Sequence, residues 1–266
     1  MLGVDKILNP QGGGGAEKVS HGAPMSFALR WANYLFMIPA LAVATVFFGT
    51  VSLVAGLWDT SGRQQHWIAR QWARVLLLTA FSRVRLVHAE RLQGLGAVVF
   101  ACNHLSYYDT PALFAKLPFQ FRILAKAPLF KVPFIGWYLT RSGQVSIDQS
   151  SARAGIASLM RGVKTIEHGL PLVIFPEGGR AADGELQAMM AGAAFIAIRA
   201  QVPLVPLTLV GTYELLPIHV YALRPRPLKL IVGEPIATTG MTSKDAEALT
   251  EQMKSVIHAT YVAEQE

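Results

Sequence analysis

The stretch "AVVFACNHLSYYDTPAL", residues 97 to 113, decides the fold. Its first six residues are apolar and read as a buried strand. The run stops at Asn103 and His104, and a carboxylate follows at Asp109. Thr110-Pro111 reads as a helix N-cap followed by proline at the first helical position. The stretch is therefore a strand, a loop carrying two titratable side chains, and a helix. In open α/β sheets, ligands bind at the carboxyl ends of strands, where this loop sits. On one continuous helix, side chains five positions apart would point about 140° away from each other. A non-helical loop lets His104 and Asp109 meet. A carboxylate bonded to one imidazole nitrogen fixes the tautomer and raises the basicity of the other, which makes a general base for an alcohol. Taken alone, the same spacing fits a histidine satisfied at a strand end and an aspartate capping a helix better than a catalytic pair.

Outward from this stretch the pattern repeats. Short apolar runs occur at 84–88, 97–102, 121–125, 144–147, 171–175, 203–210 and 228–232, and helical stretches near 111–117, 151–168, 187–200 and 243–262 lie between or after them. Strands alternating with helices predict an α/β domain with a mixed, largely parallel sheet flanked by helices. The run "VPLVPLTLVGTYELLP" holds Pro203 and Pro206 and reads as an edge-like strand and a turn. Thr242 and Asp245 form a candidate cap for the last helix, whose Ala246, Leu249, Met253, Val256 and Ile257 share a face suited to core packing.

Upstream the chain changes character. Trp31 to Trp58 contains no charged residue, long enough for the roughly 20 apolar residues of a membrane-spanning helix. Trp31, Tyr34 and Trp58 mark its ends as interface aromatics do, and Pro39, Gly49 and Gly56 allow kinks. Next, Trp67, Ile68, Trp72, Val75, Leu76 and Thr79 recur at helical spacing among Arg63, Arg70 and Arg74. That is a basic amphipathic helix suited to a headgroup region. Arg83 and Arg85 follow, and positive charge after the apolar segment places the rest of the chain on the cytoplasmic side. The expected organisation is a flexible tail at 1–24, a membrane-inserted helical segment at 25–82 and a catalytic domain at 83–266. Full spanning and insertion into one leaflet remain equally open at this level.

Composition fits this division. Of 266 residues, 52% are hydrophobic and only 15% charged, with a formal net charge of +7. A basic balance suits nucleic acid, an anionic membrane or an acidic substrate. Much of the excess sits beside the apolar segment, and neither zinc-ligand spacing nor aromatic–basic interleaving occurs, which argues against nucleic acid. The single Cys102 excludes an internal disulfide and suits a reducing compartment. No Gly-x-Ser-x-Gly elbow of a serine hydrolase occurs.

Three further stretches carry candidate chemistry. "LVIFPEGGRAADGEL", residues 172–186, ends a strand in Pro176-Glu177-Gly178-Gly179-Arg180. Glycines allow close backbone approach, and Arg180 offers a planar fork for a phosphate. In residues 125–148, Lys126 follows a strand, and Pro133, Gly136 and Gly143 shape an irregular apolar segment before Ile147-Asp148. The fourth is Val205-Pro206 with Gly211-Thr212.

The order Asn103-His104…Asp109, Lys126…Pro133…Gly136…Gly143…Ile147-Asp148, Phe175-Pro176-Glu177-Gly178…Arg180, Val205-Pro206…Gly211-Thr212 resembles the glycerolipid acyltransferase family, over residues 83 to 235. The resemblance implies transfer of a fatty acyl group from an acyl-CoA or acyl carrier protein thioester to the free sn-2 hydroxyl of lysophosphatidate, giving phosphatidate. His104, oriented by Asp109, would be the general base. Arg180 with Lys126 would hold the acceptor phosphate, and Glu177 would orient the Gly178-Gly179 loop. Cys102 would be a buried strand residue without a chemical role. Neither a cofactor nor a metal is implied. The partners would be a membrane lipid, the thioester donor and the bilayer, with no nucleic acid, at the cytoplasmic face of a cell membrane. Three positions depart from the family's habit. Gly179-Arg180-Ala181 stand where Thr and then Arg-Ser are common, Gln149 where Arg is common, and Met189, Met190 and Ala191 where a basic residue often follows. Each removes polarity or charge near the implied phosphate site. Acylation of another lyso-lipid, such as a lyso-aminolipid, and a silent membrane-binding protein are the alternatives.

Overall fold

The computed structural model describes residues 25–180 and 183–265, so the tail expected at 1–24 lies outside the described residues. Seven strands form one sheet: β1 Val84–Val87, β2 Val99–Cys102, β3 Arg122–Lys126, β4 Val145–Ile147, β5 Leu172–Ile174, β6 Leu204–Val210 and β7 Leu228–Val232. Their order is β1-β7-β6-β2-β5-β3-β4. All neighbours run parallel except β6 and β7. The seven apolar runs of the sequence are these seven strands.

Helix α1, Phe27–Ala55, precedes the sheet. Side chains of the strands alternate between two cores, as strand geometry requires. Phe100 and Cys102 of β2 and Val205, Leu207 and Leu209 of β6 point into one. Val99, Ala101 and Leu204 point into the other. The first is covered by helices α2, Arg63–Thr79, and α3, Asp109–Lys116. A short helix, α4, Ile135–Arg141, lies between β3 and β4. The second core is covered by α5, Ala152–Glu167, α6, Gly192–Ala200, and α7, Ala246–Gln265. Burial on both faces is why the strands read as continuous apolar runs. Each fully buried Phe, Leu or Ile contributes about 1.5–3 kcal/mol.

Four expectations need correction. The strand with Pro206 is not an edge: β6 lies between β2 and β7 and is buried throughout. Proline is tolerated because its missing N–H faces β7 at a bulge. Leu204 pairs with Ile236 and Thr208 with Ile231, so the partner carries one residue more. The Pro206 carbonyl still accepts from Gly233 N–H at 2.8 Å. Helix α3 begins at Asp109, without a side-chain cap, rather than after a Thr110 cap. The carboxylate turns back into the loop, as described below. Residues 187–190 form no regular structure and Ala191 is a turn residue, so the helix starts only at Gly192; Gln187 and Met190 N–H are used by Glu177 and Pro176 of the turn after β5.

The fourth concerns the amino-terminal helices. Helix α1 is long and apolar enough to cross a membrane and exposes most of its side chains. The chain turns back at Asp59, whose carboxylate accepts from Gln64 and Gln65 N–H, and α1 pairs antiparallel with α2. Trp72 Nε1 donates to Thr45 Oγ1, and Phe81 meets Phe36. The apolar face of α2, with Ile68, Ala73 and Leu76 buried, is therefore covered by α1 and the α/β domain rather than by lipid headgroups. Asn33, in a π-helical turn of α1, exchanges two hydrogen bonds with the Leu223 backbone, and Arg141 Nη1 donates to the Gly56 carbonyl. The long apolar helix is thus bonded to the α/β domain near both ends.

Candidate active site

Strand β2 delivers Asn103 and His104 past its last ladder partner. The Asn103 amide donates to the Leu209 carbonyl at 2.9 Å and accepts from Leu209 N–H at 2.7 Å. One side chain thereby continues the β2–β6 pairing and fixes the direction in which His104 leaves the sheet.

His104 Nδ1 lies 2.8 Å from Asp109 Oδ2. The same oxygen accepts from Leu105 N–H at 2.7 Å and Ser106 N–H at 2.8 Å. The Asp109 side chain is fully buried and that of His104 only 15% exposed. Two backbone donors and a buried position hold the carboxylate in place, so imidazole Nδ1 carries the proton and Nε2 keeps a lone pair. The Phe175 ring stacks on the imidazole at 4.0 Å, which locks its plane.

The turn after β5 faces this pair. Glu177 bridges the two, as Oε1 accepts His104 N–H at 2.7 Å and Oε2 accepts Gln187 N–H at 2.9 Å. Burial pushes its carboxyl up to about 7, against these two N–H groups, which favour the charged form. Gly178 has φ +67°, and a Cβ there would strike the Met190 methyl. Arg180 Nε donates to His104 Nε2 at 3.3 Å, and its guanidinium lies 3.9 Å from the centre of the Tyr107 ring. Lys126, at the end of β3, brings its ammonium to the Gly179 side of the turn.

These groups ring a cavity of ≈ 560 Å³. Its lining combines His104, Lys126, Gly178, Gly179 and Arg180 with the apolar Ile123, Ile147, Leu159 and Ile174. Glu177 stands behind the rim. Gln149 and Met190 form part of the wall, with Gln149 Nε2 at 3.7 Å from Met190 Sδ. The candidate residues of three separate sequence stretches therefore meet in one place. Cys102 does not join them. It is fully buried, and desolvation followed by the Asp109 and Glu177 charges holds its thiol protonated. Sequence reasoning assigned no role to Asn103, Tyr107, Phe175 or Gln187. Only the aromatic character of two of them hinted at stacking.

Such a site offers an imidazole whose Nε2 accepts from Arg180 Nε, cations beside it and apolar side chains in the same wall. Residues 83–210 match the family model described as Acyltransferase. The chain is 31% identical over 163 residues to the chloroplastic 1-acyl-sn-glycerol-3-phosphate acyltransferase LPAT1 of Arabidopsis thaliana, which covers 60% of this chain and 45% of that one. It is 28% identical over 238 residues to the 1-acyl-sn-glycerol-3-phosphate acyltransferase of Saccharomyces cerevisiae, covering 86% of this chain and 78% of that one. The chain spans about half the length of the chloroplast relatives it matches. The crystal structure of the 1-acyl-sn-glycerophosphate (LPA) acyltransferase PlsC from Thermotoga maritima shares the fold, with a TM-score of 0.69 at 22% identity over 86% of this chain and 92% of that one.

Proposed function

With an acyltransferase-family domain over residues 83–210 as the premise, we propose that this chain transfers a fatty acyl group from a thioester to the sn-2 hydroxyl of 1-acyl-sn-glycerol 3-phosphate. The observation that carries the reading is the Asp109–His104 pair at 2.8 Å, with Nε2 turned to the cavity beside Arg180. His104 Nε2 takes the hydroxyl proton as the oxygen attacks the thioester carbonyl. Collapse of the tetrahedral adduct breaks the carbon–sulfur bond, and His104 returns the proton to the departing thiolate. Asp109, held by the Leu105 and Ser106 N–H groups, keeps accepting from Nδ1–H and stabilises the imidazolium between these steps. The acyl chain lies in the recess of Ile123, Ile147, Leu159 and Ile174.

Arg180 has two positions in this scheme. Without acceptor its Nε–H occupies the Nε2 lone pair. An acceptor phosphate draws the guanidinium into a charge-assisted bond, with Lys126 as second cation, and frees the base. The donor is acyl-CoA or acyl carrier protein. The neutral wall of Gln149 and Met190 supports a second reading, a lyso-lipid acceptor without the phosphate.

The chain works at the cytoplasmic face of a membrane, with α1 in one leaflet. A crossing helix holds its ends roughly 30 Å apart on opposite surfaces. Asn33 and Gly56 could not then both reach one domain. High-salt washing is expected to leave the protein in the membrane fraction, and its release would remove the insertion reading.

The deciding assay is purified full-length protein with lysophosphatidate and each thioester donor, the product identified by mass spectrometry. No phosphatidate from either donor overturns the proposal. Preference for a phosphate-free lyso-lipid promotes the second reading.

A further inference from the structure

The segment after Lys126 is walled on one side by the cavity and open on the other. Pro128 and Leu129 line the cavity. A 3₁₀ turn, Ala127–Lys131, then leads into helix α4. Every residue from Lys131 to Ile135 is exposed, and four of these five are apolar. Phe134 is 62%, Ile135 50% and Trp137 54% exposed, and the Phe134 and Trp137 rings stand together at 5.1 Å. Water-facing domains seldom show such a run.

The backbone is built to make this projection. Phe134 has φ +61°, and Ile135 N–H bonds to the Pro133 carbonyl at 2.7 Å across it. This tight three-residue turn is unfavourable for a bulky residue. Gly136 lets the chain close, because a Cβ there would sit on the Phe130 carbonyl. A fold that holds phenylalanine in an unfavourable conformation, only to face it outward, calls for something outside to receive it.

We propose that residues 129–137 are a second membrane-docking element, which sets the mouth of the cavity on the lipid surface. The occupant is a bilayer because the patch is continuous with the apolar anchor. Helix α4 packs against α1, and Arg141 bonds to Gly56, beside the exposed Leu57 and Trp58. Trp137 has the amphipathic ring favoured at the membrane interface, and Lys131 supplies a cation for anionic headgroups. The cavity wall at Leu129 then meets lipid directly, so an acceptor slides from the leaflet into the site without crossing water.

The test has two arms. In the first, Phe134→Cys is spin-labelled in the full chain. Cys102 is fully buried, so the new thiol reacts selectively. On vesicles of phosphatidylethanolamine and phosphatidylglycerol, the label is expected to relax with oxygen and resist a water-soluble nickel chelate. Free access of the chelate overturns the proposal. In the second, Phe134→Asp with Trp137→Ser is assayed. This arm alone rests on the acyl-transfer reading. Loss of two inserted aromatics predicts about tenfold or more lower kcat/KM on lysophosphatidate in vesicles. Use of a short-chain, monomeric lysophosphatidate should stay within about twofold, because neither side chain lines the cavity. Equal losses on both acceptors, or no loss on either, overturn the docking role. A lipid-exposed label in a chain that forms no phosphatidate keeps the docking and removes only the acyl-transfer reading.

Discussion

Two turns, one after β2 and one after β5, build the candidate site by different means. In the turn after β2, the Asn103 amide is bonded to β6, and Asp109 Oδ2 accepts from three donors. In the turn after β5, Gly178 and Gly179 replace side chains, and Arg180 rests on one nitrogen and one aromatic face. On the acyl-transfer reading proposed above, the first is a fixed device for one proton and the second a rim for a charged group that arrives and leaves. Glu177 is the hinge pin between them, since its two oxygens accept one N–H from each side. On that reading, the side chain held by three hydrogen bonds stands where proton transfer needs geometry, and the one held by a single bond and a ring face stands where binding needs exchange.

The contrast is broken most directly at the fixed turn. His104→Ala is expected to lower turnover by roughly 10²- to 10⁴-fold while leaving the thermal transition in place, because the side chain ends a strand without supporting it. Near-normal turnover by a folded variant would move the base elsewhere.

At the pin the readout is stability against pH. The folded-state carboxyl of Glu177 is raised from 4.5 to about 7, so its contribution is greatest below 4.5 and declines as pH rises through 7. Glu177→Gln removes this decline. Relative to the parent, the variant should gain on the order of 2–4 kcal/mol as pH rises from about 4.5 to 7, because each pH unit between the unfolded and folded values is worth about 1.4 kcal/mol. Denaturant unfolding at several pH values in one detergent measures it. A constant difference across that window would mean that Glu177 is already charged at low pH.

At the adjustable rim, Arg180→Ala should cost about ten- to a hundredfold in kcat/KM for lysophosphatidate, the value of one charge-assisted bond. Arg180→Lys should recover part, as a point charge lacks the fork. A phosphate-free lyso-lipid should feel far less. Equal losses on both acceptors would place Arg180 among the structural residues of the turn. The smallest effect is expected at Gln149→Ala, within about threefold on either acceptor, since a neutral amide there adds no charge to the rim.

Apolar runs made the seven strands legible, because the central strands β2, β5 and β6 are buried on both faces and the outer ones still carry few polar positions to blur the pattern. Pro206 misled, since its rule concerns a missing donor, and only the pairing of distant strands shows that a bulge stands opposite. Residues 187–191 misled in the same way. Their N–H groups serve Glu177 and Pro176, partners that local propensity cannot see. At the site, His104, Asp109 and Arg180 were legible as types at strand ends. Their angles were not, because they are fixed by Leu209, Phe175 and Tyr107 from elsewhere in the chain or loop.

The pairing of Asn33 with Leu223 also orders events in time. These partners are 190 residues apart in the chain. At a synthesis rate of about 5–20 residues per second, α1 leaves the ribosome roughly 10–40 s before its partner exists. A helix so apolar is poorly suited to wait in water for that interval, and on the proposed single-leaflet placement the bilayer receives it first. On the single-leaflet reading proposed above, the α/β domain then folds onto a segment already in lipid, and Asn33 changes from a polar burden in the leaflet into a docking point. Ribosome-bound chains stopped before residue 200 should already resist high-salt extraction from membranes. Chains that stay extractable until Leu223 has emerged would reverse the order, with the domain carrying its helix to the membrane.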